Sequence, residues 1–421
     1  MPRCTDPARR GSPATTSLPY ARFLRILLAL ASSATLGCRH EPTYYEDVAP
    51  ILESKCMPCH RPGGLANVPP MGSFEQAAAS ASRIRRSVQM REMPPWGAEN
   101  SGLCGTWREA LWLEDDEMRV LERWTKKPLP GDLARAKPPA PPPSPDFRPS
   151  GVVLDNGGDY RPMLGPSTYR CFVVGPADAR DRTATAFRIV STEPRSVRQV
   201  TLYALDSAED EAAAVALDRE APGLGYSCFG SSRVPGARLL TSWTWGSPVS
   251  EMPPGVGVRL PGGRKLVLQI NYDPMVTGLD VPTRTRIELA LDDRARVARY
   301  LTIAPETLEI PPGQIHTEVR AEATVARALR VLGVVPRMHM IGTTMQLDRS
   351  VGDAFRCMGS FDHWSFYRRR LFSYAGPIDL DRGSRLRLSC AYDTRSQGAP
   401  TGRGDGIDDE ECRADLLVVD L

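Results

Sequence analysis

The residues of this chain best suited to chemistry are Cys56, Cys59 and His60, in the run Cys56-Met57-Pro58-Cys59-His60. Two thiols two residues apart, followed at once by an imidazole, form the pattern for covalent c-type haem attachment. The thiols become thioethers to the vinyl groups, and the adjacent histidine ligates the iron. A bare Cys-x-x-Cys would also suit a zinc half-site or a redox dithiol. Neither accounts for the histidine, and no second cysteine pair lies nearby for zinc. The iron needs a further axial ligand downstream, and Met93 in Arg91-Glu92-Met93-Pro94-Pro95-Trp96 is the expected one, because the two prolines hold the chain extended as it presents the thioether. Met90 and Met71 are its rivals, as methionines that fill a core. Ligation by His60 and Met93 would raise the potential and favour electron transfer over oxygen binding.

The elements that must position these residues divide the chain. Residues 39–132 are expected to form a small all-α domain. Tyr44-Tyr45-Glu46-Asp47-Val48-Ala49-Pro50-Ile51-Leu52 leads into the haem motif, and Leu113–Trp124 carries Leu113, Glu117, Val120, Leu121 and Trp124 at helical spacing. Asp115 and Asp116 suit its first turn, with Pro128 and Gly131 marking its end. Residues 133–149 include Lys137-Pro138-Pro139-Ala140-Pro141-Pro142-Pro143-Ser144-Pro145, an extended linker. Beyond it the periodicity is that of strands: 264–272, 283–291, 328 onward and 384–390 are short β segments bounded by Gly, Pro and Asp. With no helices evident between them, they predict two antiparallel, jelly-roll-like β-sandwiches, 150–292 and 293–421.

Composition sets the compartment. The 421 residues include 39 prolines and 35 glycines, and the formal charge of +3 is nearly balanced, so nothing suggests a nucleic-acid partner. The basic runs Arg83-Ile84-Arg85-Arg86 and Arg368-Arg369-Arg370 are expected to be solvated faces. Arginines at 9, 10, 22 and 25 precede an apolar run from Ile26 to Gly37, too short to span a bilayer as a mature helix. It ends in Thr35-Leu36-Gly37-Cys38, which resembles a bacterial lipobox. On that reading residues 1–38 are a signal peptide with lipobox and Cys38 is lipidated, giving a membrane-anchored lipoprotein at the periplasm or cell surface. An ordinary cleavable signal would leave Cys38 incidental; either way the chain is exported and disulfides are permitted. Of ten cysteines, Cys104, Cys171, Cys228, Cys357, Cys390 and Cys412 remain for structural use.

Two resemblances extend this reading. Residues 44–132 resemble small bacterial c-type cytochrome domains fused to copper monooxygenase-like modules, on the blocks Val48–Leu52, Cys56–His60, Met93–Trp96 and Leu113–Trp124. Residues 150–421 resemble the copper type II, ascorbate-dependent monooxygenases, the family of peptidylglycine α-hydroxylating monooxygenase and dopamine β-monooxygenase. The resemblance rests on Thr168-Tyr169-Arg170-Cys171, Tyr226-Ser227-Cys228-Phe229, Pro254–Val258, Leu268–Tyr272, Met338-His339-Met340-Ile341-Gly342, Cys390–Thr394 and Asp409-Glu410-Glu411-Cys412, in that order. It implies two packed β-sandwiches with one copper on each.

It also implies six copper ligands, and most are missing here. The position of the family's His-His pair reads Arg198-Gln199. Its Gln-x-His-Tyr segment reads Gln269-Ile270-Asn271-Tyr272. Its His-x-His motif reads Arg337-Met338-His339, so one histidine is retained, and its Glu-Met-Cys methionine is Glu411. The chain has five histidines, of which only His316, His339 and His363 lie beyond the haem segment; a two-copper site of this type needs five. Arginine, always protonated, would repel a metal ion. The resemblance therefore implies a scaffold without assembled copper, and a lone His339 is read as a core histidine. The matching positions imply an Arg337–Glu411 salt bridge beside His339, and a separate hydrogen-bonded cluster of Arg198, Gln199 and Asn271. They also imply the disulfides Cys171–Cys228 and Cys390–Cys412, leaving Cys104 and Cys357 unassigned.

The expected function is that of an exported, lipid-anchored c-type cytochrome passing single electrons to or from a redox partner protein or electron carrier. Its non-catalytic monooxygenase-like scaffold would bind a peptide or partner in the groove between the sandwiches. The alternative is an active copper-dependent monooxygenase receiving electrons from the haem.

Overall fold

The computed structural model describes residues 40–60, 70–137, 147–163, 168–245, 249–273 and 281–421. The leader, Cys38 and most of the proline-rich linker lie outside the described residues. Residues 42–421 form one compact unit. Its described residues are mostly β-sheet, with 39% strand and 17% helix, and the five α-helices among them are short.

The expected all-α cytochrome domain is not there as a separate body. Helices Ala49–Lys55, Phe74–Ala79, Ala81–Gln89 and Asp115–Trp124 do share a small apolar cluster around Leu52, Ile84, Leu121 and Trp124. The chain between the last two leaves that cluster and carries Trp96 and Trp107 with it. Both enter the core of the C-terminal β-sheets instead. Trp107 stacks on Tyr374 with ring centroids 4.5 Å apart, and Trp96 meets Phe372 edge-on at 5.0 Å. Backbone bonds tie the segment down: Glu99 N–H to Ser360 O (2.9 Å), Arg108 N–H to Ser373 O (2.8 Å) and Ala375 N–H to Thr106 O (2.9 Å). A disulfide between Cys104 and Cys357 completes the attachment. The predicted helix at 113–124 does form, starting from Glu114 as N-cap, whose backbone N–H is met by the Glu117 carboxylate at 2.9 Å.

The expected pair of separate sandwiches is corrected as well. A nine-stranded sheet runs Val153–Asp155, Thr285–Leu291, Arg182–Ser191, Val256–Leu260, Arg296–Ile303, Arg413–Asp420, Leu329–Arg337 and Phe372–Leu380, with Val249–Glu251 beside Arg182–Ser191. It therefore crosses residue 293 without a break, through a parallel pairing of Arg296–Ile303 with Val256–Leu260. A five-stranded sheet (Tyr226–Ser227, Thr168–Val174, Leu266–Tyr272, Val197–Ala204, Arg238–Thr244) covers one core. A four-stranded sheet (Thr317–Thr324, Arg385–Tyr392, Gly342–Val351, Ala354–Phe361) covers the other. The strands between them face both ways: Leu332, Val335, Leu417 and Val419 enter the first core, while Val331, Val334, Leu416 and Val418 enter the second. Their uninterrupted apolar runs are what a strand buried on both faces requires.

A 13-residue helix, Ala208–Glu220, also interrupts the strands where none was expected. Ser207 caps it by accepting from Asp210 N–H at 3.0 Å, with Glu209, Asp210 and Glu211 in its first turn.

Candidate functional site

The haem motif continues the turn of helix Ala49–Lys55. Cys56 N–H bonds Leu52 O (2.8 Å), and the Cys56 carbonyl then accepts from both Cys59 N–H (3.1 Å) and His60 N–H (2.9 Å). Positions three and four apart on such a turn share one side, so Cys56, Cys59 and His60 project together. All three are half-buried, and Cys56 and Met57 pack against the helical cluster. Burial pushes the Cys56 thiol up to about 12, with the Cys59 thiol and Glu117 adding to the rise and Lys55 opposing it. A redox dithiol needs the opposite, a depressed thiol pKa. Among the described residues no group of three His, Cys, Asp or Glu could hold an ion. Both thiols and the imidazole lie on one side of the turn, the arrangement that covalent haem attachment would require of them.

Of the methionines, Met71 is a core residue, 8% exposed, whereas Met93 is 40% exposed and Met90 61%. Met93 follows helix Ala81–Gln89, its N–H bonded to Ser87 O at 3.2 Å, and the preceding Glu92 carbonyl accepts from Arg368 Nη2 at 2.8 Å.

The second cluster gathers at the ends of strand Leu329–Arg337 and the segment before Arg413–Asp420. Arg337 Nε donates to Glu411 Oε2 at 3.0 Å and Nη2 to Gly230 O at 2.9 Å. His339 Nε2 lies 3.9 Å from the same carboxylate oxygen. His339 Nδ1 is 2.9 Å from Asp409 O; a carbonyl only accepts, so Nδ1 carries the proton and Nε2 is bare. Burial and the neighbouring Arg369 lower the His339 pKa, opposed by Glu411, and keep the ring neutral at pH 7. Burial disfavours ionised Glu411, but Arg337, Arg413, His339 and Arg369 hold its carboxyl down at about 2. Burial likewise works against the Arg337 charge, and Glu411 more than restores it. Glu410, pushed up to about 7 by burial, accepts backbone N–H bonds from His339 (2.7 Å), Ile341 (3.0 Å) and Glu411 (3.0 Å) and so fixes the loop that aims these side chains.

The structure splits the other expected cluster. Arg198 pairs with Asp273 and lies over the Tyr367 ring at 4.5 Å, away from Gln199. Gln199 turns inward, accepting from the Tyr169 hydroxyl at 2.9 Å and donating to Arg369 O at 3.0 Å, and Asn271 stands across the ladder from it. The ladder skips Arg198 in an irregularity between Val197 and Gln199, which separates 198 from the Gln199–Asn271 pair.

Sequence reading also missed Arg369, which is 3% exposed rather than solvated. The aromatic residues around the basic run, Phe366, Tyr367 and Phe372, were the available signal: Arg369 lies 4.4 Å from the Phe366 ring centroid. Cys171–Cys228 and Cys390–Cys412 are disulfides in the structure, and Cys104–Cys357 is a third. Three disulfides are compatible with an exported protein. No helix among the described residues is long and apolar enough to cross a membrane.

No protein family and no curated protein matches this chain by sequence. Among solved structures it is similar to the infectious bursal disease virus VP2 subviral particle, at 10% identity over 64% of this chain and 71% of that one, with a TM-score of 0.18. It is also similar to a β-porphyranase of glycoside hydrolase family 86 from the human gut bacterium Bacteroides plebeius, at 8% identity over 62% and 36%, with a TM-score of 0.13. At these scores neither carries an argument, and neither supports the cytochrome or the monooxygenase resemblance.

Proposed function

We propose that this protein is an exported c-type haem protein that transfers single electrons, and that its β-sheet body is a binding scaffold rather than an oxygenase. The observation that carries the reading is the single helical turn presenting Cys56, Cys59 and His60 beside an apolar cluster, with Cys56 kept as a protonated thiol. Cys56 and Cys59 would hold the haem covalently, and His60 and Met93 would ligate its iron. The haem supplies a one-electron couple, which His/Met ligation places at high potential. The chain's own contribution is to hold the imidazole directly after the second thiol, with Cys56 packed against the Leu52–Trp124 cluster. Lipidation at Cys38 would hold the protein at a membrane facing the periplasm or outside, where its partner is an electron carrier. A peptide or protein docked on the β-sheet body is the second partner this reading expects.

The non-catalytic part rests on Arg337, whose guanidinium is bonded to Glu411 at two positions where the copper monooxygenases place metal ligands. A permanent cation there disfavours a second one. The test is intact mass under denaturing conditions together with metal analysis, on protein matured in a host that attaches haem c. The expected result is one haem per chain that survives denaturation, iron near one per chain and no stoichiometric copper. Haem lost on denaturation would refute the attachment, and two coppers per chain would refute the scaffold reading.

A further inference from the structure

Between the five-stranded sheet and the shared sheet lies a cavity of about 10 Å³, room for one water-sized occupant. Gln199, Thr201 and Ser242 line it from one side, Arg337 from the other, and Arg369 reaches it from the loop before strand Phe372–Leu380. The charges around it do not balance. Arg337 has the Glu411 carboxylate at 3.0 Å, but among the described residues no carboxylate pairs with Arg369. Arg369 Nη2 donates to the Tyr169 hydroxyl at 3.1 Å, which is neutral and passes its own proton to Gln199 Oε1 at 2.9 Å. The Nε–H of Arg369 is buried with no hydrogen-bond partner at all. His339, the remaining neighbour, is neutral and adds no negative charge. Two guanidiniums thus share one carboxylate inside the protein, and a buried cation left without a counter-charge costs several kcal/mol.

The polarity of the lining specifies what can offset this. Arg369 Nε–H is an unmet donor, whereas the Thr201 hydroxyl is paired with Ser242 Oγ at 3.4 Å, Ser242 itself donates to Arg369 O at 3.1 Å, and the Gln199 carbonyl oxygen is engaged by Tyr169. Arg337 commits Nε and Nη2 to Glu411 and Gly230 O, leaving Nη1 over. Donors with net positive charge select an anion, and a space for one atom excludes carboxylates, phosphate and sulfate. We infer that this cavity is a binding site for a monatomic halide, chloride under ordinary conditions, held by Arg369 and Arg337 between the two β layers.

The experiment uses the full haem-loaded chain and bromide as the probe. Crystals grown or soaked in sodium bromide should show an anomalous peak among Gln199, Ser242 and Arg369. In solution, the unfolding midpoint should rise saturably with chloride or bromide at ionic strength held constant with sodium gluconate, and Arg369→Gln should lose that shift. If Arg369→Gln does not fold, Arg369→Lys, which keeps the charge and removes the Nε–H donor, should weaken the halide dependence. A cavity holding only water in the bromide crystals, or a midpoint that follows ionic strength and not halide, overturns the proposal.

Discussion

Replacing Glu411 by Gln is the sharpest perturbation of the buried cluster. Its side chain is 13% exposed and that of its partner Arg337 6%, so neither charge has water to fall back on. Removing one member of such a pair leaves the other uncompensated, at a cost of about 3–5 kcal/mol. The titration of Glu411 gives a second route to the magnitude. Its carboxyl sits at about 2 instead of its ordinary 4.5, a difference worth about 3 kcal/mol at 1.36 kcal/mol per pH unit. The sign follows from linkage. A folded pKa below the unfolded one stabilises the fold fully above pH 4.5, and the contribution is lost as pH falls toward 2. Glu410 works in the opposite sense: with a folded value of about 7, its contribution is complete below pH 4.5 and lost as pH rises through 7. The wild-type curve therefore mixes the two, and only the difference between Glu411→Gln and wild type isolates Glu411. Urea unfolding at several pH values should give a loss of about 3 kcal/mol at pH 7 that shrinks below pH 4.5. In a double-mutant cycle with Arg337→Gln, the double variant should lose much less than the two single losses together. A Glu411→Gln variant within 0.5 kcal/mol of wild type at pH 7, or a loss that ignores pH, would show that the pair is not the buried, coupled unit described above.

Two further outcomes follow from the helical segment. Met93→Ala should abolish the sulfur-to-iron charge-transfer band of the oxidised protein while Met90→Ala leaves it; a band that survives loss of Met93 removes it as axial ligand. Cys104→Ala together with Cys357→Ala should lower stability by about 2–5 kcal/mol, because the bond closes a loop spanning 253 residues. It should also expose the 93–112 segment to limited proteolysis, and resistance equal to wild type would mean that Trp96 and Trp107 hold the segment without the disulfide.

How much of this was legible in the sequence depended on whether a signal was local. Cys56-x-x-Cys59-His60 and the capped helix from Asp115 are local, and the structure realises the turn and the helix close to where they were read. Strands at Leu266–Tyr272, Thr285–Leu291, Leu329–Arg337 and Arg385–Tyr392 were readable because their ends carry Gly, Pro and Asp. The shared central sheet was not read, although its trace is present: Val331-Leu332-Gly333-Val334-Val335 and Leu416-Leu417-Val418-Val419 lack the alternation a one-sided strand would show. Proximity in the chain groups Trp96 and Trp107 with Trp124 and the helices; no local signal marks that the first two join Phe361, Phe372 and Tyr374 in the C-terminal core instead. Arg369 was misread for the same reason, since a run of three arginines looks solvated until the aromatic surfaces that cover one of them are in place.

The Arg337 cluster places a buried ion pair at positions that the sequence resemblance matches to copper ligands. His339 still has the arrangement of a ligand histidine: Nδ1–H held by a backbone carbonyl and Nε2 bare, with a carboxylate oxygen 3.9 Å away. Arg337 occupies the remaining side of that space, bonded to Glu411 and to the Gly230 carbonyl. Its guanidinium supplies what a metal ion would supply structurally, a fixed positive charge with directed bonds to oxygen donors. It differs in the property that matters for oxygen chemistry, because a guanidinium has no second oxidation state and no exchangeable coordination position. A carboxylate at 411 and an arginine at 337 are therefore a matched pair: either one alone would be a buried, unpaired charge. What the β-sheet body holds at this place is a buried ion pair, bonded to backbone carbonyl and carboxylate oxygens on both sides of the guanidinium.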